Sequence, residues 1–123
     1  MKDIKLHGTC NGSGALTVGG IGNTDNISAV LGLLYAVQLI DGTLADGVDI
    51  TITCDNADLS IPILTQANFN SDGMAYPRVL EALNTDGTAL ATHCLPILAG
   101  VPKMVIASGG AGGIGGCILY VLE

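Results

Sequence analysis

An α/β domain is the fold class this sequence predicts, and three observations predict it. The apolar run Ile27 to Ile40 follows the polar quartet Asn23-Thr24-Asp25-Asn26, the pattern of a capped helix. The segment Val48–Cys54, VDITITC, alternates apolar and polar residues with the period of a half-buried strand. Further helical stretches and short strand-like runs alternate along the rest of the chain. The expectation is a single compact domain over residues 1–123, with a mixed sheet of about five strands and about three helices.

In chain order, Lys2 to His7 places Ile4 and Leu6 on one side of a short strand. A glycine-rich loop follows over Gly8 to Gly22, around a short strand Ala15–Val18. The first predicted helix spans about Ile27 to Asp41 and ends at Gly42-Thr43. It is apolar around most of its circumference, which requires burial on several sides. In Val48–Cys54, the side chains of Val48, Ile50, Ile52 and Cys54 face a core, while Asp49, Thr51 and Thr53 face away. Ile61 to Leu64, with Pro62, reads as an edge strand. Asn68 to Gly73 is a loop. Helices are expected over about Ala75 to Leu83, with Pro77 in the first turn, and over about Thr88 to Leu95, closed by Pro96 and Gly100. Lys103 to Ala107 reads as a buried strand, Ser108 to Gly116 as a glycine-rich turn, and Cys117 to Leu122 as a last strand.

Charge narrows the function classes. The chain has a formal net charge of −7, and its cations are Lys2, Lys5, Arg78 and Lys103 alone. Four scattered cations build no basic stripe, which argues against nucleic acid and against an anionic membrane surface as partners. Charged residues make up 12% against a usual ~25%. Uncharged surface on that scale predicts a homo-oligomer, with contacts through the Ile27–Ile40 segment, the glycine-rich carboxyl-terminal segment, or both. The start MKDIKLHG lacks the apolar run of a signal peptide, and the Ile27–Ile40 run is too short to span a bilayer. Cys10, Cys54, Cys94 and Cys117 form no C-x-x-C pair. Together these features predict a cytoplasmic protein with reduced thiols.

Three groups of residues could carry chemistry. Asp25 and Asn26 open the first predicted helix, and Asp55 closes the VDITITC strand. Strand ends and helix starts are where α/β sheets bind ligands. The expected pocket therefore lies near Asp25, Asn26, Asp55 and the loop Gly19–Asn23. Asp25 would orient or bind, Asp55 or His93 would serve as acid–base, and Gly20, Gly22, Asn23, Asn26, Gly110 and Gly112 would hold a small polar or anionic ligand through backbone N–H groups and amides. Asp25 as a simple helix cap, and Asp55 and Asp58 as turn residues, are the structural alternatives. In the second group, His7, Cys10 and Asp25 are the candidate ligands for a divalent metal, with His93 and Cys94 further along the chain. The third is Gly110–Gly115, a G-x-G-x-x-G after the strand KMVIA. The stretch VIASGGAGGIGG resembles the opening of short-chain dehydrogenases, which implies nucleotide binding. Too few residues follow it for the rest of a dinucleotide fold.

The order Asp25-Asn26, helix, strand, Cys54-Asp55, then Asp86-Gly87-Thr88 and Gly100-Val101-Pro102, resembles the co-catalytic zinc aminopeptidases over Gly20 to Ala107. It also resembles an uncharacterised bacterial family of the same group. That resemblance implies an α/β fold and hydrolase ancestry. Asp55 and Asn56 stand where the family carries paired glutamates, and its first and last histidine ligands have no counterpart. The functional expectation is a homo-oligomeric, enzyme-like domain that binds a small polar or anionic ligand. The alternative is a non-catalytic binding or structural subunit in which the glycine-rich loops serve packing.

Overall fold

A computed structural model describes residues 1–82 and 89–123. The strands are β1 (Lys2–Thr9), β2 (Leu16–Gly19), β3 (Val30–Ile40), β4 (Val48–Asp55), β5 (Ser60–Phe69), β6 (Gly73–Ala75), β7 (Val79–Ala82), β8 (Ala89–Cys94), β9 (Ile97–Ala107) and β10 (Ile114–Leu122). Among the described residues there is no helix, and every strand pair is antiparallel. This corrects the α/β expectation: the architecture is all-β. The order β1-β10-β3-β9-β4-β5, with β2 on β9 and β6 on β3, forms an eight-stranded sheet, while β7 and β8 form a separate two-stranded ribbon.

The long strand β9 divides the sheet into two halves. Its first residues, Ile97–Gly100, pair with Leu33–Val30 of β3, and the rest pairs with β4 and β2. Gly100 stands at the changeover, with φ of 143°. A Cβ there would lie 2.3 Å from the Asp55 carbonyl oxygen, so only glycine lets β9 change partners this close to β4. The half β1-β10-β3 turns Ile4, Leu6, Cys117, Leu119, Val121, Leu34, Val37 and Leu39 inward. The half β2-β9-β4 turns Val18, Met104, Ile106, Ile50, Ile52 and Cys54 inward. All of these belong to one buried cluster, so the sheet folds over on itself around a single apolar core.

The three predicted helices fail for identifiable reasons. Ile27–Asp41 is apolar on all sides because β3 is apolar on both faces: Val30 and Leu34 are buried, whereas Leu31, Leu33 and Tyr35 are exposed. A bulge opposite Tyr120/Val121 then shifts the alternation, so Val37 and Leu39 point inward. Gly32, which would cost a helix about 1 kcal/mol, gives β10 room: a Cβ there would lie 2.6 Å from the Leu122 carbonyl oxygen. The expected cap is instead a turn, with Asn26 at φ of 62°, because Asn and Asp satisfy turns as readily as helix starts. The ranges predicted as helices over Ala75–Leu83 and Thr88–Leu95 hold instead the end of β6, β7 and β8, with Tyr76, Pro77, Arg78 and Leu95 between strands; Leu83 and Thr88 lie outside the described residues with the segment Asp86-Gly87-Thr88.

The strands expected near Lys2–His7, Ala15–Val18, Val48–Cys54, Ile61–Leu64, Lys103–Ala107 and Cys117–Leu122 are all present, most of them longer. β5 is an edge strand, and Pro62 sits beside a register shift there. The four core-facing side chains expected on β4 are fully buried.

Candidate functional site

The loop between β2 and β3 is organised by Asn23. Its Oδ1 accepts the N–H groups of Asp25 and Ile27, at 3.0 and 3.1 Å, and its Nδ2 donates to the carbonyls of Gly20 and Ile27, at 2.7 and 2.9 Å. All four polar positions of the amide are therefore committed to the backbone. Asp25 Oδ2 accepts the Gly19 N–H at 3.0 Å and ties the end of β2 to the loop. Gly22 is exposed, with open space where a side chain would be.

Asp55, at the end of β4, is half-buried and well satisfied. Its Oδ1 accepts the hydroxyls of Thr53 and Ser60, at 2.9 and 2.6 Å, and its Oδ2 faces Lys103 Nζ at 3.8 Å. Gly20 packs over this group, since a Cβ on it would lie 3.1 Å from Lys103 Cδ and 3.4 Å from Asp55 Oδ2. The fold thus brings Gly20 and Asp55 together, with Asp25 and Asn23 in the loop that carries Gly20. Thr53, Ser60 and Lys103 complete the group and were not singled out from the sequence. The Thr53–Asp55 spacing of two along one strand is the signal that could have found the first of them.

The other candidates are dispersed. His93 is exposed on β8, which pairs with β7 outside the eight-stranded sheet. His7 is half-buried on β1; burial, then the charge of Lys5, holds its imidazole below the ordinary value. Cys10 is buried, and its thiol is raised by that burial. Among the described residues no three His, Cys, Asp or Glu side chains cluster in a way that could hold a metal ion, the trio His7, Cys10 and Asp25 included. Cys117, also in the core, has its thiol pushed up to about 12 by burial.

Gly110 and Gly112 lie in the arch from β9 to β10, which crosses from one half of the sheet to the other. This arch is a hub of backbone contacts. Gly109 N–H donates to Gly14 O, Ala45 N–H to Gly109 O, Cys10 N–H to Gly113 O, and Thr43 N–H to Ile114 O, at 2.8 to 2.9 Å. The strand β10 follows, so the glycines open no helix and present no helix N-terminus to a phosphate.

Two surfaces remain. A shallow cleft of about 240 Å³ lies between β1 and the start of the β3 segment, lined in part by Lys2, Lys5, Asn26 and Ser28. Of the expected ligand-binding residues, Asn26 alone lines it. The larger feature is apolar. Leu33 is the register partner of Leu122 on β10 and of Ile97 on β9. All three point outward, at 41%, 36% and 60% exposure. Along β3, Leu31 (75%) and Tyr35 (44%) extend the same face. Tyr76 packs edge-on against Tyr35, with ring centroids 6.3 Å apart, and the Arg78 guanidinium lies 5.7 Å from the Tyr35 ring centre. No reading of Ile27–Ile40 as a helix could place this face, because helical spacing keeps Leu31 and Tyr35 together but turns Leu33 to the opposite side.

Among the described residues no helix is long and apolar enough to cross a membrane. Comparison of the chain with protein-family models, with curated proteins and with solved structures found no match.

Proposed function

We propose that this chain is a non-catalytic structural subunit that assembles with copies of itself through the outer face of β3. The observation that carries this reading is the outward cross of Leu31, Leu33, Tyr35, Ile97 and Leu122. With Tyr76, these residues expose on the order of 600 Å² of surface, at the upper limit for a monomer and approaching the ~800 Å² that each partner gives to a standard interface. The polar residues offer a second support. Asn23, Asp25 and Asp55 are occupied in holding loops and strand ends, which is structural work. The glycine-rich arch likewise spends its backbone groups on neighbouring loops. Free, buried Cys10, Cys54 and Cys117 suit a reducing, cytoplasmic setting.

Sedimentation equilibrium tests the reading. The wild-type chain is expected above monomer mass at micromolar concentration, and Leu33→Lys is expected to run as a monomer. Thr51→Lys, on the opposite outer face, should leave the mass unchanged. A monomeric wild-type chain, or an assembly that survives Leu33→Lys, would sink the proposal.

A further inference from the structure

We infer that the turn between β1 and β2 is a self-modification site, at which the Gly12 nitrogen attacks the side-chain amide of Asn11 and displaces ammonia while Ser13 and Ala15 hold the amide oxygen. Asn11, Gly12 and Ser13 are exposed. Covalent connection keeps the Gly12 nitrogen close to Asn11 Cγ, since joining them closes a small ring. The turn also prepares the carbon that is attacked. Asn11 Oδ1 accepts three hydrogen bonds, from the Ser13 N–H at 2.9 Å, the Ser13 hydroxyl at 2.8 Å and the Ala15 N–H at 3.1 Å. Donors at these distances hold the negative charge that attack places on the oxygen.

The step needs water and nothing else. The Gly12 N–H proton passes to solvent, the N–Cγ bond forms, and the tetrahedral carbon expels Nδ2, which takes a proton from water and leaves as ammonia. The cyclic imide then adds one water at either carbonyl. Opening one way leaves aspartate at position 11, and opening the other way leaves isoaspartate, with the main chain routed through the side chain. Other asparagines differ in the parts that matter. Asn23 has its leaving nitrogen held by the Gly20 and Ile27 carbonyls, and Thr24 follows it. Asn56 has the N–H groups of Asp58 and Leu59 on its Oδ1, and Ala57 follows it. Glycine after asparagine leaves the attacking nitrogen uncrowded. Isoaspartate inserts a backbone atom between Asn11 and Gly12. Two bonds span that point, Asn11 N–H to the Ala15 carbonyl at 2.9 Å and Gly14 N–H to the Asn11 carbonyl at 3.0 Å, and the Gly14 carbonyl accepts the Gly109 N–H of the arch at 2.8 Å. The modification therefore loosens the clamp between this turn and the β9–β10 arch.

Peptide mapping by mass spectrometry, on the folded chain aged in mildly alkaline buffer, tests the site. Asn11 should gain one mass unit ahead of the other asparagines, with isoaspartate as well as aspartate among the products. Gly12→Ala should slow the change about tenfold or more, because a Cβ crowds the nitrogen. That variant should fold as wild type does, since a Cβ at Gly12 meets nothing within 4 Å. Ser13→Ala removes the hydroxyl donor and should slow the folded chain about fivefold, the fold-change of one ordinary hydrogen bond, with far less effect in urea. An Asn11 that outlasts the other asparagines, or a product that is aspartate alone, would overturn the attack by Gly12. A Ser13→Ala chain that reacts as fast as wild type when folded would overturn the part given to the turn.

Discussion

The two outer faces of the folded sheet share one backbone pattern and differ in what they point at solvent. Across β2, β9, β4 and β5 the register runs Thr17, Val105, Thr51, Thr65, so three of four positions are hydroxyl-bearing; the Asp55–Lys103 pair lies nearby on the same sheet half. Across β10, β3 and β9 it runs Leu122, Leu33, Ile97, with no polar atom in any side chain. Threonine keeps the β-propensity of a branched residue and tolerates water, so the first face is finished within the monomer. Exposed leucine and isoleucine gain nothing from water, so the second face is the one that the proposed assembly would cover. The inward positions of both halves are alike. The outward positions are where one sheet serves two purposes.

Replacing the joint between the halves should disturb this contrast most. Gly100→Ala forces a Cβ against the Asp55 carbonyl in a backbone conformation that alanine avoids. We expect a loss of about 3 kcal/mol or more in the urea unfolding free energy, with both faces affected together. A variant as stable as wild type would show that β9 does not need glycine to change partners. A smaller change confined to the polar half is Asp55→Ala, which leaves the hydroxyls of Thr53 and Ser60 and the ammonium of Lys103 without their acceptor. Stability should fall by about 1 kcal/mol while the assembled mass stays the same. A change of mass would mean that the polar face takes part in association.

The smallest effect concerns His7, at the polar margin of the apolar half. Its imidazole is held below the ordinary value of 6.5, by burial first and by Lys5 second. Between the lowered native value and 6.5 the unfolded chain binds a proton that the folded chain refuses. Stability is therefore full above pH 6.5, falls as the pH drops through that value, and levels off below the native one. Urea midpoints measured from pH 8 to pH 5 should show this slope, and His7→Gln should flatten it. An unchanged slope in the variant would assign it to other groups.

Much of the strand inventory was legible because its burial is one-sided. In β4 the polar and apolar residues alternate without a break, and the same is true of Ile4 and Leu6 in β1. β3 was not legible, because its apolar outward residues erase the alternation that identifies a strand. The feature that hid its secondary structure is the one that carries the proposed interface. The β7–β8 ribbon was not legible for another reason: Pro77 at a helix-start spacing pointed to a helix over Ala75 to Leu83, and Pro96 and Gly100 to the close of a second. Of the site residues, the proximity of Gly20 to Asp55 followed from expecting a loop beside a strand end. Asn23 was expected to touch a ligand and binds its own loop instead, a choice that residue type leaves open.

The pairing of β1 with β10 bears on how the chain reaches this state. Lys2 faces Val121 and Thr9 faces Ile114, so the first strand meets partners drawn from the far end of the chain. β3 likewise waits for β9 and β10. Few stabilising contacts are local, so the entropy of closing long loops comes before the reward, and folding should take milliseconds to seconds rather than microseconds. On a ribosome the first strand would emerge with its partner still unmade, and Ile4 and Leu6 would stay in water until synthesis reached Leu122.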